Sequence, residues 1–227
     1  MKYCVRTSLS IAAWSVLVFV GLAWERMAYA DIVQFTEPQS FFQSANIVST
    51  ETFDEFTSRT IIGVGSVEID GITYTSDNPI AEWYTSDSFI TPSAPNALVQ
   101  RNVVAPANLA FAGHTDAVGF FLLPGATFPP SNYRFDVTTG PGETITFNSG
   151  IVQDTFFRGF TPSGVGVGIS SVSITPLDPP LAGGSNFHLD NVSRGVITIP
   201  EPSSYAMIFA GLGLLGFLRS RMKPNAL

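Results

Sequence analysis

Between residues 31 and 198, proline, glycine, serine, threonine and asparagine recur every few positions, and the apolar side chains between them alternate with polar ones. No window sustains an apolar period of 3.6, so a helical core is ruled out and short strands are required. The alternation also fixes pairings. In SVEIDGITYTS the pair Asp70-Gly71 is a two-residue turn signal, because such turns need the positive φ that Asp and Gly tolerate. Across that turn Ile69 must face Ile72 and Val67 must face Tyr74, while Glu68 and Thr73 share the opposite, wet side. A second hairpin is predicted in YRFDVTTGPGETITF, where Tyr133, Phe135 and Val137 form one face of the first strand and Ile145 and Phe147 one face of the second.

Further strands are predicted in DIVQFT, TETFDEF, AVGFFLL, DTFFRGF, SVSIT and NFHLDNV. About ten short strands spaced by turn residues give an all-β fold, a β-sandwich or jelly-roll-like domain over residues 31–198. Cys4 is the only cysteine, so this domain has no thiol for a disulfide, a zinc site or a nucleophile. It has five arginines, no lysine and sixteen acidic residues, a formal charge of −11, which repels a polyanion and excludes nucleic acid as a partner.

The two ends read differently. Lys2 and Arg6 precede an uncharged run from Thr7 to Trp24, and Ala28-Tyr29-Ala30 follows. These are the parts of a signal-peptide helix over residues 1–30, handled by Sec-type export machinery and signal peptidase, with Asp31 as the new N-terminus. The alternative is an uncleaved anchor, since the run reaches the lower bound for spanning. At the other end Tyr205 to Leu218 is uncharged, a C-terminal transmembrane helix of roughly 21 Å against about 30 Å of hydrocarbon. Arg219, Arg221 and Lys223 hold its far end in the cytoplasm and leave the domain outside.

Pro200-Glu201-Pro202, then Ser and an aromatic residue, the glycine-interrupted run AMIFAGLGLLGFL and the basic end RSRMK together resemble the PEP-CTERM sorting signal of exported Gram-negative bacterial proteins. The resemblance covers residues 199–223. It implies recognition of Pro200, Glu201, Pro202, Arg219, Arg221 and Lys223 by an exosortase, transient residence in the inner membrane, and passage to the cell surface. The same tail also goes under an ice-binding C-terminal domain name, which implies no ice binding here. The physical chemistry agrees: Pro200 and Pro202 lack backbone donors and favour extended backbone, so the triplet stands outside the helix.

No catalytic residue is assigned. Gly164, Gly166 and Gly168 follow a Pro-Ser turn and precede no helical pattern, so they make no phosphate cradle, and His114 with Asp116 reads as a GHTD turn. ETFDEF and FHLDNV resemble the first and last strands of carbohydrate-binding jelly-roll modules. That resemblance implies a structural Ca²⁺ held by Glu51, Asp54 and Asp190; the alternative is a pair of acidic strand ends without metal. Trp83 with Tyr84 is a candidate sugar contact, the alternative being a buried structural Trp. The sequence thus points to an exported, non-enzymatic surface or matrix protein that adheres to exopolysaccharide, with a polysaccharide hydrolase or a ligand-free matrix component as alternatives.

Overall fold

A computed structural model describes residues 31–87, 92–93, 96–101, 105–124, 131–163, 167–178, 187–197 and 211–213. The chain divides into one unit ending at Ile197 and a second over Thr198–Leu227. The predicted signal peptide, and the tail apart from residues 211–213, lie outside the described residues.

The body begins with β1 (Ile32–Phe35), a helix α1 (Pro38–Ser44) and β2 (Asn46–Glu51). Four short strands follow: β3 (Ile61–Val64), β4 (Ser66–Ile69), β5 (Ile72–Ser76) and β6 (Glu82–Ser86). Then come β7 (Ala97–Arg101), β8 (Ala107–Thr115), β9 (Ala117–Pro124) and β10 (Ser131–Thr139). β11 (Thr144–Val152), β12 (Phe156–Pro162), β13 (Ile169–Pro176) and β14 (Phe187–Val196) complete it.

The strands join in the order β1-β12-β9-β14-β7-β6-β3-β4-β5-β8-β13-β10-β11, with β2 beside β14. At β3–β4 the ladder thins to one pair, Val64 with Ser66, around Gly65 at φ 69°. There the path folds over into two layers, β1 through β3 and β4 through β11. Ring contacts between strands remote in that order show the closure: Phe135 of β10 meets Phe160 of β12 at 5.9 Å and Phe120 of β9 at 6.0 Å, and Tyr74 of β5 meets Trp83 of β6 at 5.9 Å. The fold is all-β, a sandwich as the alternation required.

Both predicted hairpins form. Ile69 pairs Ile72, Val67 pairs Tyr74 and Glu68 pairs Thr73, with Asp70 at φ 46° and Gly71 at φ 69°, as a type I′ turn demands. Phe135 pairs Phe147 and Val137 pairs Ile145. TETFDEF is a correction: β2 lies upstream and stops at Glu51, because Phe53 turns to φ 62° and leaves the sheet. The helix α1 was not anticipated. Pro38 opens it with φ fixed, and it ends after seven residues at the extended Ala45.

Short as it is, α1 covers the outer side of the first layer. Phe41 is fully buried there, its ring 5.4 Å from that of Phe157. It lies over Gly119 and Gly159, which are cross-strand partners; a Cβ at either would come within 2.6 Å of the Phe41 ring. The glycine pair is a slot for one phenyl group. Inside the sandwich, Arg158 is only 7% exposed. Its Nη2 donates to the Ser149 carbonyl at 3.1 Å and its Nη1 to that of Phe157 at 2.7 Å, and its guanidinium lies 4.6 Å from the Phe156 ring centre. Ser149 is at a bulge, where the β10–β11 register slips between Asn132 and Arg134. Arg158 thus satisfies a carbonyl from the opposite layer.

Gly159→Ala is expected to cost about 1–3 kcal/mol by overpacking, and Phe41→Ala about 3–5 kcal/mol. In urea unfolding the double variant should lose less than the sum of the two, because removing the ring makes room for the methyl group.

Candidate functional site

β14 changes neighbour midway. Along one edge it follows β9, and along the other it pairs β7 at His188 and Leu189 and then β2 from Val192 to Val196. At the changeover Asn191 has φ 50°, and the register with β9 slips between Asp190 and Ser193. Glu51, the last residue of β2, pairs with Val192. The three carboxylates named from the sequence, Glu51, Asp54 and Asp190, therefore belong to one region where the central strand splits.

Their partners define what they do. Asp190, fully buried, accepts from Ser93 Oγ at 2.6 Å, Ser93 N at 2.8 Å and Asn191 N at 2.8 Å. Glu51 Oε1 accepts from Phe53 N at 2.7 Å. Asp54 Oδ1 accepts from Asn96 N at 3.1 Å, and Asn96 Nδ2 donates onward to the Phe56 carbonyl at 2.9 Å. One device occurs twice: a buried carboxylate holds the backbone N–H of a residue in the left-handed region, Phe53 for Glu51 and Asn191 for Asp190. Such backbone is held only where its surroundings determine it. Ser93 and Asn96 complete the arrangement and had no signal in the sequence.

Burial pushes the Glu51 carboxyl above its ordinary value; the Phe53 N–H pulls it back, and neighbouring Glu55 pushes it up again. Burial raises the Asp190 carboxyl too, against the pull of Ser93 and Asn191 and with a further push from Asp54. The donor set does not fit a calcium ion. Among the described residues no three acidic, histidine or cysteine side chains gather to hold a metal, and the carboxylates spend oxygens on N–H and O–H donors instead of converging on one point, as a site of six to eight oxygens would need.

His188, two positions before Asp190, is buried, and that burial pushes its imidazole down to about 3. It stays neutral through the ordinary pH range. Trp83 is a correction: it is fully buried, packed on Tyr74, with Nε1 donating to the Gly65 carbonyl at 3.4 Å, so neither ring face is open to a sugar. Strand parity turns its neighbour Tyr84 the other way, where it is partly exposed. The two side chains form no joint platform.

Of the proposed signal-peptide junction, Ala28 and Ala30 lie outside the described residues. Asp31 is exposed, its carbonyl accepts from Ser163 N at 2.7 Å, and β1 starts at the next residue. Pro200, Glu201, Pro202, Arg219, Arg221 and Lys223 also lie outside; residues 211–213 are helical and exposed. No helix among the described residues is long and apolar enough to cross a membrane.

A stable β body followed by a separate, apolar-then-basic end defines a carrier of a C-terminal sorting signal. The chain carries the PEP-CTERM protein-sorting motif, matched over residues 198–222, and that motif implies export to the cell surface or extracellular space. No curated protein matches the chain in sequence.

Among solved structures, the body is similar to the CBM22-1 xylan-binding domain of Paenibacillus barcinonensis Xyn10C, at 13% identity and a TM-score of 0.45 over 69% of this chain and 97% of that one. It is also similar to the C-terminal family 22 carbohydrate-binding module of Clostridium thermocellum Xyn10B, at 15% identity and a TM-score of 0.43 over 67% of this chain and 94% of that one. The enzymatically active domain of bacteriophage CBA120 tailspike protein 4 matches at 14% and 0.38, over 57% of this chain and 20% of that one. Overlap at this level fixes neither ligand nor activity.

Asp190→Asn is expected to cost about 1–3 kcal/mol, because its amide NH₂ must face a donor, and calcium titration of the parent protein should leave its melting temperature unchanged. A second expectation concerns pH. An unfolded histidine takes up a proton near 6.5 while His188 resists until about 3, so its contribution is present above 6.5 and is lost as pH falls across that window. The slope is up to roughly 1.4 kcal/mol per pH unit. The raised carboxyls of Glu51 and Asp190 act oppositely, contributing most at acid pH and losing that contribution as pH rises. Urea midpoints measured against pH should therefore slope less in His188→Gln than in the parent.

Proposed function

We propose that this chain is a non-enzymatic surface or extracellular-matrix protein, exported through the Sec-type pathway, held briefly in the inner membrane by its C-terminal helix, and released by an exosortase acting near Pro200-Glu201-Pro202. The observation that carries the reading is the sorting motif at residues 198–222, placed directly after the last strand ends at Val196. An anchor of about 21 Å suits temporary residence better than permanent spanning of about 30 Å.

Two features support an adhesive, polysaccharide-associated body. Its carboxylates at the β14 split are spent on holding loops, and its histidine at that split is kept neutral by burial; these are the properties of a scaffold. Its formal charge of −11, with no lysine, disfavours polyanions and leaves neutral, hydroxyl-rich polymers as the natural contact outside the cell.

Mass spectrometry of the native, surface-located protein should find Asp31 at the N-terminus and a C-terminus close to the Pro-Glu-Pro triplet. A surface form that retains Leu227 would overturn the processing scheme. Shortened polysaccharide chains after incubation with the protein would overturn the non-enzymatic reading.

A further inference from the structure

The two outer faces of the sandwich differ. The first layer is partly covered by α1, whereas the second, β4-β5-β8-β13-β10-β11, presents two complete rows of polar side chains in register. One row runs Glu68, Thr73, Ala110, Ser171, Thr138, Thr144, each residue the cross-strand partner of the next. The adjacent row, two residues along each strand, runs Ser66, Thr75, Asn108, Ser173, Asp136, Thr146. All twelve positions are partly or fully exposed. Between the two rows lies an inward one, Val67, Tyr74, Leu109, Val172, Val137, Ile145, so the parity is unbroken over six strands.

The chemistry of this face is unusual for a solvated surface, of which about a quarter to a third is normally charged. Only Glu68 and Asp136 in the two rows are charged. Asp136 is neutralised in place by Arg134 Nε at 3.0 Å and accepts from Thr146 Oγ1 at 2.6 Å. The Thr138 and Thr144 hydroxyls bond each other at 3.1 Å. Thr73, Thr75, Ser171 and Ser173 make no side-chain hydrogen bond among the described residues, so their hydroxyls face outward unspent. The rest of the body carries the net negative charge.

We infer that this hydroxyl face of the second layer is the surface on which a neutral polysaccharide chain docks, an inference that rests on the polysaccharide-associated reading above and names its site. Each Ser or Thr hydroxyl donates one hydrogen bond and accepts two, as does each sugar hydroxyl. At about 4.8 Å between strands, six strands offer roughly 24 Å of such groups. Each exchange with water gains little, so retention needs many at once, and a polymer lying across the rows supplies them. Electroneutrality selects the occupant: the face offers an anionic polymer no cations to pair with, and the body around it repels one.

The test uses the full chain in detergent, with the producer's exopolysaccharide, a neutral soluble β-glucan, xylan and polygalacturonate as probes, in affinity electrophoresis and pull-down. The parent protein should be retained by at least one neutral glycan and not by polygalacturonate, with little dependence on salt. Thr73→Val/Thr75→Val/Ser173→Ala removes three hydroxyls and keeps the strand shape; it should weaken retention at least about tenfold with an unchanged melting temperature. Ser173→Lys, placing a long charged chain in the middle of the face, should do the same, and Gln43→Ala on α1 should have no effect.

If the parent is retained but both face variants bind like it, the site assignment fails and the polysaccharide reading survives. If the parent binds no glycan, both fail. A concentration-dependent dimer that Ser173→Lys abolishes, with glycan retention unaffected, would assign the face to a second copy of the chain and overturn the inference.

Discussion

The aromatic seam between the layers is the constraint on which everything else rests. No cysteine lies between residues 31 and 198, so cross-links contribute nothing, and the two layers meet through Phe120, Phe135 and Phe160, with Phe53, Tyr74 and Trp83 extending the contact toward the fold-over. Buried rings of this kind dominate core energetics, each tilted or edge-on pair adding about 0.5–1.5 kcal/mol beyond its area. The seam explains why Trp83 is unavailable to a ligand: its ring is a structural member where the path turns from one layer into the other. It also explains the place of Arg158, whose guanidinium lies against Phe156 while carrying hydrogen bonds to carbonyls of both layers. The burial that lowers its pKa is offset by ring faces and carbonyl oxygens.

How far the fold was legible follows from how local each determinant is. The hairpin at Asp70-Gly71 and the β10–β11 hairpin were readable to the residue pair, because a turn signal and a period of two lie within a dozen positions. β2 was misplaced, because ETF reads as strand by composition; only the carboxylate of Glu51, accepting from the backbone of Phe53, pulls that residue into the left-handed region and ends the strand. The split of β14 was out of reach, since exchanging β7 for β2 as neighbour depends on strands nearly a hundred residues or more away in the chain. α1 was hidden because its one anchoring side chain, Phe41, is accommodated by two glycines on β9 and β12.

For the candidate site, the sequence brought the right residues together for the wrong chemistry. Glu51, Asp54 and Asp190 do converge on the β2–β14 region, as their placement near the two ends of the domain implied. Their oxygens are taken up by main-chain N–H groups of Phe53, Asn96, Ser93 and Asn191. Main-chain donors carry no residue signature, so a carboxylate that fixes a loop and one that binds a cation look alike in a sequence. The outer rows of the second layer were overlooked for the opposite reason. Alternating Ser and Thr is the ordinary wet side of any amphipathic strand, and only the register shows that these side chains line up across six of them.

The path by which the chain leaves the body has a mechanical meaning. β14, the last strand, runs between β9 on one edge and β2 on the other right up to its end, where Gly195 pairs with both Ala117 and Ile47 and Val196 pairs with Asn46. Any tension transmitted through the C-terminal segment, whether from a membrane anchor or from whatever the processed end is attached to, therefore enters along the axis of an interior strand. It is resisted in shear by two ladders at once, where an edge strand such as β11 would peel open one bond at a time. A body destined to hold a cell surface against flow is thus tethered by the strand least easily pulled out of it.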